Sequence, residues 1–151
     1  MLTDTDRRIL RQLQADPAAS AAELADRAGL NAATCWRRLE KLRESGVIRG
    51  TGAVIDWRAL GWEVEVSLRI TLDKTAPRAF DDFLIAARQV PEVLEIQTFL
   101  GQVDVRLGLI ARDMGHYRDI YRDRILTLPH IIDVQALMHL ARVKSDMALP
   151  I

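Results

Sequence analysis

One short segment in the first third of the chain gathers small, polar and cationic side chains: Asn31, Ala32, Ala33, Thr34, Arg37, Arg38 and Lys41. Behind them Cys35, Leu39 and Leu42 repeat at i, i+4, i+7, the spacing of an apolar helical stripe. A helix entering the major groove of double-stranded DNA needs these features together: a small amino-terminal end for close approach, donors for base edges and phosphates, and an apolar back that anchors it. Ala33 supplies smallness, Thr34 can bond a base edge or a phosphate, and Arg37, Arg38 and Lys41 can reach guanine edges or phosphates. A solvated amphipathic helix would carry the same charge run. The flanking elements have to separate the two.

Further along, Gly101-Gln102-Val103-Asp104 joins two apolar runs. Glycine lets backbone donors come close to a ligand, and a carboxylate such as that of Asp104 can hold an ammonium group. An ordinary hairpin turn accounts for the same residues.

The elements around the first segment favour DNA. Residues 4–15 put Ile9, Leu10 and Leu13 on one helical face before Asp16-Pro17 interrupts it. Ser20-Ala21-Ala22-Glu23 is a capping box for a second helix, which Gly29 ends. Asn31 is an N-cap for a third helix over 32–45, giving helix, tight turn, helix. Residues 47–55 then read as two extended pieces around Gly50 and Gly52, the wing of a winged helix-turn-helix.

From about residue 60 the pattern becomes strand-rich, dividing the chain into domains 1–60 and 61–151. Val64, Val66, Leu68 and Ile70 alternate with polar residues at the period of a half-buried strand. A helix over 77–89, strands over 93–100 and 105–111, a helix over 114–128 and a strand over 131–143 follow. The order βαββαβ predicts a ferredoxin-like sandwich, an α+β fold with one sheet face left for dimerisation or a ligand to cover.

Composition limits the alternatives. The 151 residues, 49% hydrophobic, can bury a core unaided, and 21 basic residues exactly balance 21 acidic ones. Any affinity for a polyanion must therefore come from local charge. Cys35 is the single cysteine, so a disulfide scaffold is excluded and its place on the apolar stripe makes it a core residue. The start MLTDTDRRIL has no basic-then-apolar leader, and nothing resembles a membrane span, so the expectation is a cytoplasmic chain without membrane attachment. His116, His130 and His139 are scattered, and no metal motif, nucleophile elbow, phosphate loop or dinucleotide fingerprint occurs. No metal, no cofactor and no catalytic residue are expected.

Three stretches together resemble the Lrp/AsnC family of feast-or-famine regulators: LTDTDRRILRQLQADPAASAAELADRAGLNAATCWRRLEKLRESGVIRG, PEVLEIQTFLGQVDVRLGL and LPHIIDVQALMHLARVK. The resemblance spans nearly the whole chain. It implies a DNA-binding head joined to a ferredoxin-like sensor, pairing into homodimers that often assemble to octamers on promoter DNA, with an amino acid as effector. It also implies an effector site between sensor domains, placed here at Thr98, Gly101, Gln102 and Asp104, with Met114, Leu137, Met138 and His139 at positions tied to the response. The connection departs from the family habit in carrying Val103 and Val105 where relatives commonly have an acidic or aromatic neighbour of the aspartate, so the usual ligand need not transfer.

Two rival functions fit less of the chain. One is a ligand-binding or assembly module whose helix-turn-helix contacts protein instead of DNA. The other is a small enzyme built on the ferredoxin-like half, which lacks a visible acid/base set.

Overall fold

A computed structural model describes residues 1–145 and 148–151 of the chain. Two compact units emerge, Met1–Val54 with Lys144–Ile151, and Ile55–Val143. Residues 55–60 thus group with the second unit, where Arg58 of a short 3-10 turn, Arg58–Leu60, pairs with Glu65 at 3.5 Å.

Three helices build the first unit: α1 (Asp4–Ala15), α2 (Ala21–Ala28) and α3 (Ala32–Glu44). Local chemistry sets their ends. The Ser20 hydroxyl accepts from the Glu23 amide while the Glu23 carboxylate accepts from the Ser20 amide, and Thr3 and Asp6 repeat the exchange on α1. Gly29 closes α2 at φ +66°, a conformation that a side chain would strain. Ile9, Leu24, Ala25, Ala28, Cys35 and Leu39 form the core between them. Cys35 is fully buried among them, and burial pushes its thiol above the ordinary pKa, in keeping with a packing residue.

The wing departs from expectation: no strand forms over 47–55. Ile48 alone of that stretch packs against the core, while Val54 is 93% exposed. With Gly50 and Gly52 in the middle of the stretch and Val47 and Val54 both left exposed, a ladder has little to hold it together.

In the second unit a four-stranded antiparallel sheet runs in the order β2-β3-β1-β4, from β1 (Val64–Leu72), β2 (Val93–Thr98), β3 (Val105–Ala111) and β4 (Ile131–Met138). One face, led by Val66, Leu68, Ile70, Leu107 and Leu109, is buried with α4 (Ala79–Ala87) and α5 (Met114–Ile120) through Phe83, Ala87, Tyr117 and Ile120. The other carries Glu65, Ser67, Arg69, Thr71 and Arg106, the alternate positions of the same strands.

Two boundaries moved for physical reasons. β4 ends at Met138, opposite Val66, with one further backbone bond from the His139 amide to the Glu65 carbonyl at 3.0 Å; β1 begins at Val64, so in this register residues 141–143 have no partner. The expected single helix over 114–128 becomes α5 followed by a π-helical turn over Tyr121–Ile125, in which the Leu126 amide donates to the Tyr121 carbonyl five residues back at 2.9 Å. Ile120 and Ile125 are five apart and both buried, and only the wider turn keeps such a pair on one face.

Candidate nucleic-acid interface and effector site

Residues on α3 sort by the helical repeat into two sets. Cys35, Leu39 and Leu42 are buried, whereas Ala33, Arg37 and Lys41, four apart, are exposed along one outer line. Asn31 caps the helix, its Oδ1 accepting from the Thr34 amide at 2.7 Å, so its oxygen is committed and its amide NH2 remains for an outside partner. Thr34 is half-buried beside this cap. Among the described residues Arg37 and Lys41 make no ion pair, while the neighbouring Arg43 is engaged by Glu40 at 2.6 Å. Trp36 is 58% exposed on the outer side. A line of unneutralised cations beside an exposed indole fits a polyanion with flat apolar edges.

Arg38 takes a different place. Its guanidinium bonds Asp6 at 2.8 Å and the Thr3 hydroxyl at 3.2 Å, tying α3 to the start of α1. Burial pushes the Asp6 carboxyl up, but the Thr3 bonds and Arg38 outweigh it and hold it below the usual carboxylate range. An ionised Asp6 therefore adds stability above the unfolded-state carboxylate pKa, and that stability is lost as pH falls through the lowered folded value. Arg38→Ala is expected to cost about 1–3 kcal/mol by stranding this carboxylate. Thermal melts at pH 7 and pH 3 check it: the gap between wild type and variant should narrow in acid, and a pH-independent gap would remove the Asp6 linkage.

At the other candidate site, Asp104 is 2% exposed. Its carboxylate accepts from the Leu72 amide at 2.9 Å and meets the Lys74 ammonium at 3.0 Å. Gly101 and Gln102 are exposed, the Gln102 carbonyl accepting from the Thr71 hydroxyl at 3.2 Å, and Thr98 ends β2 beside them. This places Thr98, Gly101, Gln102 and Asp104 together, at the carboxy-terminal end of β1.

Met114, Leu137, Met138 and His139 gather at the opposite end. Met138 lies opposite Val66 on β1, whereas Val105, next to Asp104, lies opposite Ile70. Four residues of strand, roughly 13 Å, separate the two groups. Met114 and Met138 line an open recess of about 630 Å³ with Tyr117, Arg118, Tyr121 and Ala136. Leu137 pairs with Ser67 and so points to the opposite, polar face. One copy of the chain does not assemble these eight residues into a single site.

His139 shows what the sequence missed. Its Nε2 is 3.0 Å from the Ser67 hydroxyl and its Nδ1 3.4 Å from Glu65, which also binds Arg58 and Arg142. The order serine, histidine, carboxylate is that of a hydrolytic triad, yet Glu65 is spent on two guanidiniums and Ser67 is 5% exposed, so the cluster reads as a polar layer on the sheet. The histidines are not isolated either, since His116 and His130 pair with Glu92 and Asp82. Alternation along β1 hinted at this face, but nothing local joins Lys74 or His139 to its partner. Among the described residues no three His, Cys, Asp or Glu side chains gather as a metal site, and no helix is long and apolar enough to cross a membrane.

A helix-turn-helix head with a cationic outer face, joined to an α+β domain, defines the class of DNA-binding transcription regulators with an attached ligand-binding domain. Residues 2–49 match the winged helix-turn-helix DNA-binding family, and residues 65–149 match the Lrp/AsnC ligand binding domain. The chain belongs to the Lrp/AsnC family of transcriptional regulators. It is 32% identical to the transcriptional regulator AzlB of Bacillus subtilis, over 100% of this chain and 96% of that one. With the leucine-responsive regulatory protein of Escherichia coli it shares 32% identity over 97% of this chain and 89% of the relative. Among solved structures, a Neisseria meningitidis transcriptional regulator in complex with L-methionine superposes with a TM-score of 0.91 at 27% identity, covering 99% of this chain and 97% of that one. An AsnC family regulator from Agrobacterium tumefaciens gives 0.89 at 32% identity with the same coverage.

Proposed function

We propose that the chain acts in the cytoplasm as a homodimeric regulator of amino-acid metabolism genes, reading double-stranded promoter DNA with α3 and answering to a small effector, an amino acid. The observation that carries the DNA half is the outer line of α3, where Arg37 and Lys41 have no counter-ion among the described residues and stand beside exposed Trp36. In this reading Asn31, Ala33 and Thr34 meet the groove at the helix start, Arg37 reads a base edge or phosphate, and Lys41 holds a phosphate. Arg38, pinned to Asp6, positions the helix. A two-fold dimer calls for an inverted-repeat operator with half-sites about one helical turn apart.

For the effector half, the separation of the two residue groups is the guide. Thr98, Gly101, Gln102 and Asp104 from one copy would meet Met114, Leu137, Met138 and His139 from another, so the site is complete only between second units. Such a site prefers one arrangement of copies and thereby changes the spacing of two α3 helices or the assembly state, dimer or octamer. The L-methionine complex of the Neisseria regulator supports an amino acid as the ligand class.

Gel shift of the purified chain on its own upstream DNA, across a salt series and with a panel of amino acids, tests both halves. Specific retention that falls steeply with salt and changes with one amino acid is expected. Retention indifferent to every amino acid would remove the effector half, and absence of specific retention would leave an assembly module.

A further inference from the structure

The 101–104 connection already holds an ammonium group, one supplied by the chain itself. Lys74 Nζ sits 3.0 Å from Asp104 Oδ1 and 3.5 Å from the Gly101 carbonyl, a carboxylate and a backbone oxygen facing one charged donor. The acceptor is built in: Asp104 is buried and its other oxygen is fixed by the Leu72 amide at 2.9 Å. The donor is not, since the Lys74 side chain is 57% exposed and extends from the Asp73–Thr75 turn at the surface, where water can take its place. A rigid receptor with a detachable occupant is the arrangement of a competitive plug.

We propose that Lys74 is an internal competitor that fills the ammonium subsite at Asp104, so that an α-amino acid binds there only by displacing it. The inference rests on the effector reading of residues 98–104 given above. The exchange is balanced in charge, one ammonium leaving the carboxylate as another arrives, so Asp104 is never stranded without a cation. The energetic penalty is the tethered occupant: a ligand requiring the open state has its apparent affinity reduced by the fraction of time that state is populated. Lys74 would thus set the amino-acid concentration at which the regulator responds, and would discriminate against ligands without an ammonium group, which cannot replace it on the carboxylate.

Titration calorimetry on the full chain tests this, with L-methionine and L-leucine as probes and their deaminated counterparts as controls. Lys74→Met removes the ammonium and keeps the stem, Lys74→Gln is a second neutral variant, and Lys74→Arg keeps the charge. Both neutral variants are expected to bind the amino acids at least ~10-fold more tightly than wild type, with Lys74→Arg close to wild type and the deaminated acids unimproved. Equal affinity across all four proteins would overturn the plug and leave the effector reading standing. A gain shared by the deaminated acids would overturn it too, because the freed subsite would not be selecting ammonium. No binding by any protein would overturn the plug and the effector reading together.

Discussion

Replacing Arg37 and Lys41 together with alanine is expected to lower affinity for promoter DNA roughly 30- to 1,000-fold per half-site, while leaving the melting temperature of the free protein nearly unchanged. Both side chains are exposed on α3 and neither makes an ion pair among the described residues, so the folded chain loses little with them. A guanidinium on a base edge contributes about 1–3 kcal/mol, and each phosphate contact adds about one unit to the slope of log affinity against log salt. Fluorescence anisotropy on labelled operator DNA over 50–200 mM salt would separate the two: Arg37→Ala should relax sequence preference, and Lys41→Ala should flatten the salt dependence. Arg38→Ala is the internal contrast, because its bond to Asp6 makes its first effect one on stability. If Arg37→Ala destabilised the fold and Arg38→Ala did not, the assignment of reader and positioning residue would be reversed.

Asp104→Ala is expected to remove about 2–4 kcal/mol from the second unit, lowering its melting transition by roughly 10–20 °C. The Leu72 amide loses its acceptor at a place that is 1% exposed, and a buried donor left unpaired costs far more than a surface one. Lys74 loses its partner at the same time, though its exposed ammonium regains water. Asp104→Asn should cost less, since its amide oxygen can still accept from Leu72. The pH dependence gives the sign. Burial pushes the Asp104 carboxyl up, but the Leu72 amide and Lys74 outweigh that and leave it below the usual carboxylate range. Its ionised form therefore adds stability fully above about pH 4, lost as pH falls through the lowered folded value. Wild type should converge on Asp104→Asn in acid; curves that stay parallel from pH 7 to pH 2 would mean that the charge contributes nothing.

The sequence by itself determined the elements whose signals are local. Ser20 with Glu23 three residues on, Gly29 at the left-handed turn, and the i, i+4, i+7 stripe of Cys35, Leu39 and Leu42 mark α2 and α3 within a window of a few residues. Alternation from Val64 to Leu72 marks β1 the same way, and the order of such elements was enough for the α+β fold. The tertiary structure alone decided which charges are spent. Arg37 and Arg38 are neighbours of one type, yet a turn of about 100° per residue points one to solvent and brings the other to Asp6, 32 positions away. Lys74 and Asp104 are joined by strand register across an intervening helix and strand, and register also sends Leu137 and Met138 to opposite faces, with Thr98 and Asp104 at the far end. Periodicity records which face of an element is dry. Which long-range partner fills or empties a polar group depends on how the elements pack, and no local pattern carries that.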